Sequence, residues 1–139
     1  LLRIRWRPTS TTDILTSTLR LGALPAPPPE AFVTAALTSP ASVRAHLPFA
    51  LALTLANAHP ESDAWLTVHG ETADAFVWAG PRGARVPVPA GASVTVDLGA
   101  VPVGASGWQA LPHVGVWLGD GADRREVRVA APAGVLVQP

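Results

Sequence analysis

The chain has 139 residues, 48% of them hydrophobic, and its ten basic residues, all arginine, balance ten carboxylates. That is the length of one domain with enough apolar content for a core, and zero net charge excludes a global field drawing it to nucleic acid or an anionic membrane. The absence of cysteine excludes a disulfide framework and favours a reducing, cytosolic compartment, and no apolar run reaches the ~20 residues of a membrane span.

Residues 1–7 and 14–21, joined by a polar Pro-Thr-Ser-Thr-Thr-Asp turn, read as a hairpin in which Leu2, Ile4 and Trp6 alternate with Arg3, Arg5 and Arg7. A lone hairpin is marginal in water, so residues 1–24 are expected to close a preceding β-domain or to pack back on the sandwich. A start at Leu-Leu-Arg-Ile with no methionine anywhere is what a piece of a longer chain would show. Residues 25–30 are rich in proline, which cannot donate to a ladder, and read as an extended linker.

Beyond residue 30, fifteen prolines and twelve glycines in the whole chain leave little room for a long amphipathic helix. Residues 31–37 are the one plausible helix, and their Phe-Val-Thr content argues against it. Period-two alternation instead gives strands near residues 32–38, 49–55, 64–69, 75–79, 84–88, 93–98, 108–111, 114–118 and 125–130, with a last near 135–137. Short strands separated by turn chemistry predict an all-β fold over residues 31–139, an immunoglobulin-like antiparallel β-sandwich of about seven to nine strands.

Shared parity places Phe49, Leu51, Leu53 and Leu55 with Val94, Val96 and Leu98 at the centre of the predicted core. The tryptophans are expected to be mostly core as well, Trp6, Trp78 and Trp108 among them, with Phe76 on the same strand face as Trp78. Asn57, just past an apolar strand, is expected to bond its own backbone as a turn begins.

No catalytic signature emerges. The stretch "GASGW" fails the nucleophile-elbow pattern because Trp108 stands in place of its last glycine, and Ser106 reads as a turn residue. His69 and Glu71, at i and i+2, could share a strand face as metal ligands, with Asp74 near them, but a second histidine at usable spacing is missing. Asp120, Asp123 and Glu126 lack the spacing of a calcium loop. The "GPRG" turn is a poor phosphate cradle, since Pro81 removes a donor and no helix comes after it. Neither cofactor, metal, nucleic acid nor small-molecule substrate is expected, and the chain does not read as an enzyme.

The candidate interaction residues are the arginines: Arg3, Arg5 and Arg7, then Arg82 and Arg85, then Arg124 and Arg125 with Arg128 beside them. They would act together only if folding clusters them, because screening acts over ~8 Å.

The segments "RIRWRP", "PFALALTLANAHP", "ETADAFVWAGPRGARVPVPAG" and "GWQALPHVGVWLGDG" together resemble the C-terminal gryzun domain of transport protein particle (TRAPP) complex subunit eleven. The similarity runs through most of the chain in the same order and is densest over residues 71–114; Pro8 stands where the family pattern has a second basic residue. The resemblance implies an immunoglobulin-like β-domain of a large cytosolic subunit, peripheral to Golgi or ER–Golgi intermediate membranes. It further implies a non-catalytic scaffold in a vesicle-tethering complex of early secretory traffic and autophagy, with other subunits as direct partners. A Rab GTPase would be an indirect partner, and the membrane surface would be reached through the complex. The alternative from composition is an extracellular immunoglobulin-like adhesion or carbohydrate-binding module of a GC-rich bacterium, in which exposed tryptophans would stack on sugar rings.

Overall fold

The computed structural model describes residues 2–6, 15–19, 32–119 and 121–139. The first two segments are strands β1 (Leu2–Trp6) and β2 (Leu15–Leu19), which pair antiparallel with Leu2 opposite Leu19 and Trp6 opposite Leu15. The expected linker at residues 25–30 lies outside the described residues, as do Arg7 and Pro8.

From β3 to β14 the chain is a succession of short strands. In order they are β3 (Val33–Thr38), β4 (Ser42–Arg44), β5 (Phe49–Asn57), β6 (Ala64–Gly70), β7 (Phe76–Trp78) and β8 (Gly83–Val88). They continue with β9 (Ser93–Pro102), β10 (Gly107–Ala110), β11 (Val114–Leu118), β12 (Arg125–Val127), β13 (Val129–Ala130) and β14 (Gly134–Gln138). A 3₁₀ turn at Gly121–Asp123 precedes β12. Among the described residues no helix is long and apolar enough to cross a membrane.

The fold is all-β and sandwich-like. A five-stranded sheet has the order β13-β3-β5-β9-β7, a four-stranded sheet the order β12-β11-β6-β8, and a three-stranded sheet the order β10-β14-β4. Taken in chain order, β3-β5-β9-β7 and β6-β11-β12 repeat the ABED and CFG orders of an immunoglobulin constant-type sandwich, with β8 added beside β6.

Strand number exceeds the expected seven to nine for two physical reasons. Strand β4 is too short to show a period, and the stretch expected as one strand over 125–130 changes sheets at Arg128. Its first part, β12, pairs antiparallel with β11, and its second, β13, pairs parallel with β3. β14 likewise runs parallel to β4, so the sandwich is not antiparallel throughout.

The alternation in the sequence becomes the inside and outside of the sandwich. In β5, Leu51, Leu53 and Leu55 have no exposed surface, and they face Leu66, Val68, Val86, Val88, Val114 and Val116 of the opposite sheet in one cluster. Full burial of each such side chain stabilises by ~1.5–3 kcal/mol. Of the seven residues expected at the centre, Leu51, Leu53, Leu55 and Leu98 are buried. Phe49, Val94 and Val96 pack against the cluster but are only partly covered. For the two valines the cause is topological: β7 shields β9 only at Ala100, Val101 and Pro102, leaving the flank of Val94 and Val96 without a neighbouring strand. A second cluster of Val43, Phe76, Val135 and Val137 joins the three-stranded sheet to Phe49, whose ring meets that of Phe76 edge-on at 5.9 Å.

Candidate functional site

Asn57 ends β5 and is 2% exposed. Its Oδ1 accepts from the His59 backbone N–H (3.0 Å), the expected local turn bond, and its Nδ2 donates to the carbonyls of Ser62 (2.8 Å) and Val88 (3.2 Å). The bond to Val88 joins the two principal sheets, so Asn57 fastens one end of the sandwich. His59 extends the network by accepting at Nδ1 from the backbone of Glu61 and Ser62 while its ring meets Phe32 edge-on at 4.7 Å.

The segment of densest resemblance is closed on itself by bonds that sequence spacing conceals. The Glu71 N–H donates to the His113 carbonyl (2.8 Å), and the exposed side chains of the two residues meet with His113 Nδ1 3.3 Å from Glu71 Oε1. Trp78 lies against Gly70 and donates Nε1–H to the Glu71 carbonyl at 2.9 Å. Glu71 thus pairs with His113, 42 positions away in sequence, rather than acting with His69. Among the described residues no three His, Cys, Asp or Glu side chains gather as a metal site.

The tryptophan expectation needs correction. Trp108 is not in the core: its side chain is 65% exposed, because β10 is an edge strand and the indole lies over Gly134 on the outer face of the three-stranded sheet. Trp65 is 48% exposed, and Trp78 and Trp117 are half-buried. Phe76 is buried while Trp78, on the same face, is partly covered; Val77, between them, is 54% exposed.

Among the described side chains, the candidate arginines do not form one patch. The β1 register sets Arg3 opposite Thr18 and Arg5 opposite Thr16. On the four-stranded sheet, Arg82 sits in the turn beyond Gly70, at the opposite end from the turn that carries Arg124. Five residues at ~3.3 Å separate that end from Trp65, a distance well beyond the screening length. Arg125 and Arg128 are exposed on and beside β12.

Two arginines each lie over a tryptophan of the four-stranded sheet. The register aligns Glu126, Trp117, Thr67 and Arg85 in one row across β12, β11, β6 and β8, with Trp65 two residues further along β6. The guanidinium carbon of Arg85 stands 4.6 Å from the Trp65 ring centroid, and that of Arg124 stands 4.9 Å from the Trp117 ring centroid. Trp117 in turn covers Gly115 on its own strand. The result is an outward sheet face with two stacked Arg–Trp pairs, each worth ~0.5–1 kcal/mol where exposed. Sequence reading singles out both arginines but not Trp65 or Trp117, which alternation with buried Leu66, Val68, Val114 and Val116 could have assigned to the outside.

The concave space lies elsewhere. An open cleft of about 480 Å³ lies where the chain changes sheets, lined by Leu37, Leu111, Val127 and Val129 among others. A second open cleft of about 430 Å³ also borders Arg128 and is lined by Val33 and Thr34. The polar side chains at the first, His113, Glu126 and Arg128, are exposed and form no nucleophile–base pair.

No family model matches this sequence, and no curated protein matches it. Many of the residues that carry the resemblance have structural work: Asn57 fastens the sheets, Glu71 and His113 close the segment between them, and Pro112 is buried.

Proposed function

We propose that this domain is a non-catalytic interaction module, a scaffold of a vesicle-tethering subunit of the gryzun type. It would support assembly or membrane recruitment of the complex at Golgi or ER–Golgi membranes. The observation that carries the interaction reading is the outward face of the four-stranded sheet, where Arg85 on Trp65 and Arg124 on Trp117 present aromatic and cationic groups of the kind enriched at binding hot spots. The trafficking assignment is supported by the four motif segments in register along the chain.

The carbohydrate alternative has fewer hydroxyl partners than it needs. Sugar hydroxyls take amide and carboxylate partners beside an aromatic platform, and the one asparagine, Asn57, is buried with its amide spent on Ser62 and Val88. Gln109 donates to the Ala105 carbonyl.

Proximity crosslinking of the protein in its native cell tests the reading. Recovery of tethering-complex subunits is the expected result, and recovery of cell-surface or secreted neighbours would overturn it. Replacing His69, Glu71 and Asp74 together by alanine should leave nucleotide exchange on the Rab unchanged in an assembled complex.

A further inference from the structure

We infer that the open edge of β9 pairs with the same edge of a second copy of this chain, joining two five-stranded sheets into one across a twofold axis at Thr95. The inference is independent of the Arg–Trp face. β9 is paired with β5 from Ser93 to Ala100, but on its other side β7 reaches only Ala100, Val101 and Pro102, and the Ala79 N–H adds one bond to the Gly99 carbonyl at 2.8 Å. That bond shows which way the backbone points. Gly99 turns its carbonyl away from β5, and because the backbone groups of a strand alternate sides, Asp97, Thr95 and Ser93 turn their N–H and C=O groups the same way. Among the described residues no strand meets them there.

This stretch lacks the devices that keep sheet edges apart, which are shortness, proline and basic side chains. Strands β4, β7, β10, β12 and β13 are two to four residues long, and β8 carries Arg85 and Pro87, which has no N–H to give a ladder. Ser93–Leu98 holds neither proline nor a basic residue, and its one charge is Asp97. Ser93, Thr95 and Asp97 are exposed on the outer face, while Val94 and Val96 on the inner face are only partly covered.

The edge is complementary to itself. With Thr95 opposite Thr95 of the second copy, antiparallel pairing sets Val94 opposite Val96 and Ser93 opposite Asp97, each twice. The valines cover each other's open flanks, and each aspartate meets a serine hydroxyl that donates to it, so neither faces its like. This ladder stops before Gly99, where the chain at Ala79 takes over the edge. Moving the twofold to Val96 would set Ser93 against Gly99, a place Ala79 already covers. A foreign strand would need the same residues in the same order to satisfy both faces.

Sedimentation velocity of the chain over a concentration series tests the pairing. So short a ladder predicts a dimer that forms at micromolar concentrations. Thr95→Asp and Thr95→Lys each set like charges across the twofold and should weaken self-association about tenfold or more, while an equimolar mixture of the two should recover it as a mixed dimer. Trp108→Ser, on the edge of another sheet, should leave the dimer unchanged. Should either charged variant fail to fold, Thr95→Cys reads the same axis, because the chain has no other cysteine and oxidation should link two copies through it. A chain that stays monomeric at millimolar concentration would overturn the inference, as would a dimer that neither charged variant weakens, a mixture that does not recover, or a cysteine variant that does not crosslink. A monomeric chain whose Thr95→Asp variant loses a companion subunit would assign the edge to a foreign strand and overturn self-pairing.

Discussion

The indole of Trp78 lies so close to Gly70 that a Cβ there would meet the ring at under 3 Å, while its Nε1–H holds the Glu71 carbonyl at 2.9 Å. The ring cannot swing aside without losing that bond, so Gly70→Ala should destabilise the domain by ~1–3 kcal/mol, the usual cost of overpacking. Urea unfolding measures it. A neutral result would mean that Trp78 moves freely.

Leu53 sits at the centre of the larger cluster with no exposed surface, opposite Val96. Leu53→Ala should cost ~2–5 kcal/mol by the same measurement. Val77→Ala, at a side chain 54% exposed, should stay within ~0.5 kcal/mol.

At Asn57 the two substitutions differ in kind. Asn57→Ala leaves the Val88 carbonyl and the His59 N–H without this partner, at ~1–3 kcal/mol. Asn57→Asp keeps the acceptor for His59 but faces the carbonyls of Ser62 and Val88 with a carboxylate, and should be the more damaging of the two at neutral pH. Comparing their unfolding midpoints checks the order.

His46 adopts φ of 62° in the turn between β4 and β5, a conformation that costs any side chain with a Cβ. His46→Gly should be neutral or stabilising by up to ~1 kcal/mol, since the relief of strain opposes the added freedom of the unfolded chain. A loss of more than that in thermal unfolding would assign the imidazole a role in holding the turn.

The sandwich is legible because a strand with one buried face writes a period of two into its sequence, as Leu51, Leu53 and Leu55 do. Parity alone does not tell that Val94 and Val96 lie on an open flank, since that depends on how far β7 extends beside β9. Tryptophan misleads for a related reason: its apolar area suggests burial, yet Trp65, Trp108 and Trp117 stand on outer faces, Trp108 and Trp117 covering glycines. Glu71 and His113 are each visible, but their pairing depends on β6 and β11 being neighbours. Arg85 and Arg124 stand out as candidates in the sequence; their joint presentation on one face arises only from the β12-β11-β6-β8 order.

The most direct measurement is recruitment of companion subunits by the full subunit carrying Arg85→Gln/Arg124→Gln, compared with the unaltered protein and with Trp108→Ser at matched thermal stability. The expected result is a loss of about tenfold or more in recruitment for the double variant and none for Trp108→Ser. Unchanged recruitment by the double variant, with loss in Trp108→Ser, would move the binding surface to the three-stranded sheet and contradict the assignment of the Arg–Trp face.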